Sequence, residues 1–229
     1  MWFSQAMKRS IRILLPIAGL LFTGATLLAA DSSIAVIAVS DITDQGQGTR
    51  RPTPANPVYY YPRTNGFVNS GATVDGVTSP PKPNVEVMLV KALASQGYIY
   101  HKLANKPPSI MLVFAWGYMA PEFRDTGSIV NKAEMTSLVE GLHPLDETEG
   151  SLQSSNMSAA IKTARFYLTI SAVDYNALAQ QKYITLWCTR VSTEIDNNQL
   201  SQVLPALLRT AAPILGTQTE RHDIVVVPL

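Results

Sequence analysis

The chain has 229 residues, 46% of them hydrophobic and 15% charged. Three of its eighteen Lys and Arg residues and none of its seventeen Asp and Glu residues fall within residues 1–30, so residues 31–229 carry a formal net charge of −2. A near-neutral body excludes the basic footprint of a nucleic-acid binder and a polybasic membrane-surface patch, and a single cysteine, Cys188, excludes an intramolecular disulfide framework.

Lys8, Arg9 and Arg12 precede an apolar run over residues 13–30, and Asp31 opens polar sequence. A basic start, an apolar middle and a small-residue end make the layout of a secretory signal. Basic residues stay inside while the apolar stretch inserts. The expected cleavage lies between Ala30 and Asp31, with the bulky Leu28 three positions before the bond. The alternative is an uncleaved anchor, because the run is about long enough to span a bilayer, although Pro16, Gly19 and Gly24 interrupt it. Membrane contact is then expected only through this segment. No cysteine stands near the boundary to be acylated, and no twin-Arg pair is present. The chain is therefore expected to cross unfolded, to carry no cofactor, and to act in the periplasm or at the cell surface. Residues 31–229 suit a single exported domain.

Residues 33–39 are almost continuously apolar, as in a strand covered on both faces. Asp41 to Asp44 bring turn-forming side chains at its end. Residues 45–83 are rich in Pro and Gly, which predicts a long loop rather than helix or sheet. Loops of that length are uncommon in compact domains and are usually functional or disordered. Asn84 caps an expected helix over residues 85–96, with Val85, Met88, Leu89, Ala92 and Leu93 on one face and Gly97 at the stop. Residues 98–100 begin an extended segment, Pro107-Pro108 breaks the chain, and residues 110–116 read as a strand closed by Gly117.

A modest apolar stripe suggests a helix over residues 128–142, followed by a solvated acidic turn at residues 146–151 and a short helix at residues 158–162. Residues 166–173 and 183–191 are two β-rich runs, joined by a helical turn that Asp174 caps, and antiparallel pairing is the simplest arrangement. Leu200, Val203, Leu204, Leu207, Leu208 and Ala211 follow helical spacing within residues 198–212. Pro205 predicts a kink there, or a later start near Leu204. Residues 224–227 form a last strand. The pattern predicts an α/β or α+β single domain, with a mixed, mostly antiparallel sheet and helices packed on it.

Three segments carry a resemblance: Ile34-Ala35-Val36-Ile37-Ala38-Val39-Ser40-Asp41, Leu89-Val90-Lys91-Ala92-Leu93-Ala94-Ser95-Gln96-Gly97-Tyr98, and Ala115-Trp116-Gly117. They resemble uncharacterised exported bacterial proteins and, more distantly, α/β domains of envelope accessory lipoproteins. In those an opening strand leads to a helix ending in Gly-Tyr and then to another strand. This chain lacks the lipid-bearing cysteine and adds the Tyr-Pro segment. The resemblance implies an accessory or assembly role in the envelope and carries over no catalytic residue.

Candidate chemistry is sparse. His101, His143 and His222 have no metal-ligand spacing, so no metal site is expected. There is no G-x-S-x-G elbow, phosphate loop or dinucleotide fingerprint. Ser40 and Asp41 follow the first strand, where turn chemistry explains them better than catalysis. Glu147 and Glu149 lack the unequal buried environments of an acid/base pair. Asn156-Met157-Ser158 matches a glycosylation sequon of the kind that arises by chance. Trp116 and Trp187 read as core residues and Cys188 as a buried, inert thiol.

The cluster Tyr59, Tyr60 and Tyr61, with Arg63, stands in the Pro-rich stretch. Tyr offers large contact area and a polar handle at low entropic cost. These four are the candidate binding residues, with an envelope protein or polymer as partner; folding back onto the domain is the competing role. The leading reading is a non-catalytic exported interaction domain. The alternatives are a secreted hydrolase whose Ser40, Asp41 and a distant histidine converge in space, and a small-ligand binder with an apolar pocket beneath the loop.

Overall fold

The computed structural model describes residues 32–141, 158–196, 198–219 and 223–229. The segment of residues 1–30 with the Ala30–Asp31 bond, His143, Glu147, Glu149, Asn156, Met157 and His222 lie outside the described residues.

One seven-stranded mixed sheet organises the domain: β1 (Ser33–Ile42), β2 (Val58–Gly71), β3 (Tyr98–Tyr100), β4 (Ile110–Ala120), β5 (Arg165–Asp174), β6 (Thr185–Glu194) and β7 (Asp223–Pro228), in the spatial order β3-β2-β4-β5-β6-β1-β7. β2 runs parallel to both β3 and β4, and every other neighbouring pair is antiparallel. This is the mixed, mostly antiparallel sheet expected from the strand pattern.

The largest departure concerns residues 45–83. Fourteen of them form β2, which lies between β3 and β4 rather than in a loop. Two local features reconcile a strand with this composition. β3 pairs only with Val58 to Tyr60, so Pro62 stands where β2 has a strand neighbour on one side alone, the edge setting in which a missing N–H is tolerated. Gly66 adopts φ +73° where the register with β4 shifts, a bulge that absorbs one residue.

The face of the sheet carrying Leu112, Phe114, Trp116, Phe166, Leu168 and Ile170 is covered by α1 (Lys82–Ser95) and α5 (Leu200–Ala211). α1 contributes Val85, Leu89 and Leu93, and α5 contributes Leu200, Val203, Leu204 and Leu207, all buried. Each such side chain adds roughly 1.5–3 kcal/mol of burial. α5 starts at Leu200, close to the expected start at residue 198, and keeps Pro205 inside it, so the alternative of a later start near Leu204 is corrected; a capping box between Gln199 and Gln202 fixes the first turn. α1 begins three residues before Val85, and Gly97 follows it at φ +86°. A Cβ there would lie 2.4 Å from the Thr53 backbone, so only glycine lets the chain pass so close.

On the opposite face α3 (Lys132–Glu140) is shorter than the stripe suggested and packs Met135 and Val139 with Ile37, Ala160 and Ile161. Further short helices are α2 (His101–Ala104) after β3 and α4 (Tyr175–Ala179) between β5 and β6, with a helical turn at residues 158–160, where a short helix was expected, and a 3-10 turn at Ala212–Ile214 after α5. Asp174 caps α4 as expected, its Oδ1 accepting from the Asn176 and Ala177 amides at 2.8 and 3.1 Å. β4 does not stop at Gly117 but continues to Ala120.

β3 and β6 stand four strand steps apart, about 19 Å in a flat sheet at ~4.8 Å per step, and the long side chains of Tyr98 and Trp187 reach across this width until their rings are 5.7 Å apart. A concave mouth opens at these strand ends, lined by Ile42, Val58, Tyr98, Ile110 and Trp187.

Candidate functional site

Strand alternation divides the tyrosine cluster. Tyr60 points into the helix-covered core, 1% exposed, with its ring 6.0 Å from Tyr100 and 6.3 Å from Phe114. Burial pushes its phenol well above the ordinary range. It is therefore a core residue and leaves the binding set. Tyr59, Tyr61 and Arg63 are two residues apart and share the other face of β2. Tyr61 is 41% exposed, and Arg63 is exposed beside it.

The Tyr61 ring contacts two partners that lie outside the tyrosine cluster read from the sequence. His101 of α2 stands 5.7 Å away and Tyr175 of α4 5.8 Å away, both tilted against it. His101 also meets Tyr100 edge-on at 5.4 Å, and its Nε2 is buried with no hydrogen-bond partner in the described residues. The Asp174 cap fixes the first turn of α4 and hence the position of Tyr175. The result is a surface of Tyr61 with two tilted ring neighbours and a guanidinium two residues along the strand. The joining signals were short: β3 runs straight into α2, and Tyr175 follows an N-cap.

Ser40 and Asp41 are not turn residues. β1 continues through them to Ile42, and both are buried. The Ser40 and Thr189 hydroxyls lie 2.7 Å apart across the β1–β6 pair. Arg190 Nη1 donates to Asp41 Oδ2 at 2.8 Å, with both side chains largely withdrawn from water. Ser40 shares the helix-covered side with Thr189, whereas His101 packs against Tyr61 on the other, so the structure does not bring these two together. Cys188 is buried, accepts from Ser171 Oγ at 3.1 Å, and has its thiol pushed up by burial. Arg165, 2% exposed, donates to Ser192 and lies 3.5 Å from Glu194; burial lowers its guanidinium to about 10, partly opposed by Glu194. Among the described residues no group of three or more His, Cys, Asp or Glu could hold a metal ion.

A second feature lies at the concave mouth. A cavity of about 280 Å³ opens beneath residues 45–52. Val58, Ile110 and Leu186 form apolar wall, and Tyr98, Trp187, Arg50, Arg51 and Asp174 also line it. It sits under the first part of the Pro-rich stretch, where a ligand pocket was one of the alternatives, but its lining is mixed rather than apolar.

No protein-family model matches this sequence, and no protein of curated function matches it. Among solved structures, two crystal forms of PelC dodecamers from Paraburkholderia phytofirmans align at 12% identity with TM-scores of 0.35 and 0.33. They cover 79% and 80% of this chain and 99% and 98% of theirs. A PDZ domain protein from Parabacteroides distasonis aligns at 9% identity and a TM-score of 0.44, over 85% of this chain and 38% of its own. Likeness at this level carries no argument about what this chain does.

Proposed function

We propose that this chain is an exported, non-catalytic interaction module of the bacterial envelope, and that Tyr59, Tyr61 and Arg63 of β2, with His101 and Tyr175, form its recognition surface. The observation that carries this reading is the aromatic cluster itself: Tyr61 remains 41% exposed while two tilted rings pack against it. Prepositioned Tyr with nearby Arg is the composition of a protein-binding hot spot. The favoured partner is a protein, because β2 beyond Tyr60 has a strand neighbour on one side only. Backbone groups on its other side can pair with an extended segment while the rings hold side chains. Export rests on the basic-apolar-small layout of residues 1–30. The resemblance to envelope accessory domains agrees with this setting.

In-cell cross-linking with mass spectrometry tests it, comparing the full chain with Tyr61→Ala and Arg63→Glu variants. Both side chains are exposed, so the variants should fold. The expected result is an envelope protein captured by the parent and lost from both variants. Capture of the same proteins by folded variants would overturn the assignment. Retention on isolated envelope polymer, with no protein captured, would redirect it to a glycan partner. The mass of the chain recovered from cells tests cleavage after Ala30.

A further inference from the structure

We propose that the cavity at the concave mouth binds a small ligand through a carboxylate, with the remainder of that ligand neutral or cationic. Tyr98 and Trp187 are only 2% and 4% exposed, and both line the cavity. Their polar atoms are neighbours beside Gly216: a Cβ built there would lie 2.7 Å from Tyr98 Oη and 3.1 Å from Trp187 Nε1, so the two atoms lie within about 6 Å of each other. Neither atom has a hydrogen-bond partner among the described residues, and neither is sealed from the cavity, unlike Trp116 Nε1 and His101 Nε2. An indole N–H can only donate. The phenol remains protonated, since burial raises it further than nearby Arg51 lowers it.

Arg51 adds a charge to this donor pair. Its Nη2 donates to the Pro213 carbonyl and, at 3.3 Å, to Gln96 Oε1. Those two acceptors are thus already engaged by Arg51, whereas the two buried donors have no hydrogen-bond partner among the described residues. Tyr98 Oη, Trp187 Nε1 and the Arg51 guanidinium line the same cavity, a donor set that matches an oxygen-rich anion, and a planar carboxylate suits a guanidinium. Asp174 lines the same cavity, so a second anionic group on the ligand would be repelled. Its volume of about 280 Å³ is at the small end for ligand sites and limits the occupant to one ring or a short aliphatic body. A free small acid and the C-terminal carboxylate of a peptide share this chemistry.

Titration calorimetry and intrinsic fluorescence on the full chain test the inference, since Trp187 reports from the cavity wall. The probes are phenylacetate, L-phenylalanine, phenylacetamide, and trialanine with a free or an amidated C-terminus. The expected result is saturable binding of at least one free carboxylate and none of its amide partner at equal concentration. Binding confined to phenylacetate or phenylalanine identifies a free acid, and binding of free-acid trialanine identifies a chain end. Tyr98→Phe, which keeps the ring, should weaken binding about tenfold or more. Tyr61→Ala should leave it unchanged, which separates this site from the proposed recognition surface. Absence of saturable binding by every carboxylate, equal binding of the amides, or full affinity in folded Tyr98→Phe would overturn it. The acid-amide comparison needs no variant and stands even if Tyr98→Phe fails to fold.

Discussion

Tyr60 and Tyr61 are adjacent in sequence and identical in chemistry, so truncating each to alanine isolates what β2 does to them. Tyr60 is 1% exposed and packs on Tyr100 and Phe114. A buried aromatic side chain removes about 150–250 Å² from water, worth roughly 4–6 kcal/mol at ~25 cal/mol per Å². That is an upper bound because unfolded chains already bury some surface. Measured aromatic-to-alanine truncations in cores cost about 3–5 kcal/mol, so about 4 kcal/mol is expected for Tyr60→Ala. Tyr61 keeps 41% exposure and loses mainly its contacts with His101 and Tyr175. About 1 kcal/mol is expected there. In a domain of this size each kcal/mol moves Tm by about 2–4 °C, giving drops of about 8–16 °C for Tyr60→Ala and 2–4 °C for Tyr61→Ala. Urea and thermal unfolding followed by circular dichroism would measure both. Equal losses, or a larger loss at Tyr61, would refute the alternation and return residues 58–71 to the status of a loop.

Gly117→Ala should cost about 3 kcal/mol, because the new Cβ would lie 1.7 Å from the Val68 carbonyl oxygen, a backbone atom with no rotamer to yield; unfolding by urea measures it, and faster amide exchange along β2 should accompany it. Arg190→Ala should cost about 3 kcal/mol by removing the guanidinium held 2.8 Å from buried Asp41. A double-mutant cycle with Asp41→Ala should then show a total loss well below the sum of the single losses. Burial raises the Tyr167 phenol from 10.0 to about 12, so the folded state holds this proton more tightly than the unfolded state. That contribution is complete below about pH 10 and is lost as pH climbs through about 12. Wild type should therefore lose about 1 kcal/mol more stability than Tyr167→Phe between roughly pH 9 and pH 11, at about 1.4 kcal/mol per unit; parallel profiles would contradict the burial of this phenol.

Elements with a single strong period were legible in the sequence. The leucine spacing of α5, the apolar runs of β1, β5 and β6, and the Asp174 cap needed only local chemistry. β2 was not legible, because Pro and Gly weigh against a strand unless its edge and bulge are known. Those are set by how far β3 extends and by where the register with β4 shifts. The same tertiary information decides the candidate surface. Alternation could have placed Tyr60 opposite Tyr59, Tyr61 and Arg63 once residues 58–63 were taken as a strand. His101 and Tyr175 join Tyr61 only through chain segments 40 and more positions away. Asp41 looked like a turn residue because its partner, Arg190, is an antiparallel neighbour supplied 149 positions later. A deletion across residues 48–80 would also remove β2, so point substitutions are the appropriate probes of this surface.

The place of β1 in the sheet bears on how the chain reaches its native state. Both of its ladder partners, β6 and β7, come from the C-terminal third, and no other strand borders it. A polypeptide that emerges N-terminus first at ~5–20 residues per second leaves β1 without a ladder for roughly 10–30 s. Throughout that interval an apolar, β-prone segment is available to other copies, the type of window in which aggregation begins. A holdase, or confinement until β6 arrives, would limit that exposure. Closure of β1 between two late strands joins the earliest and latest parts of the domain.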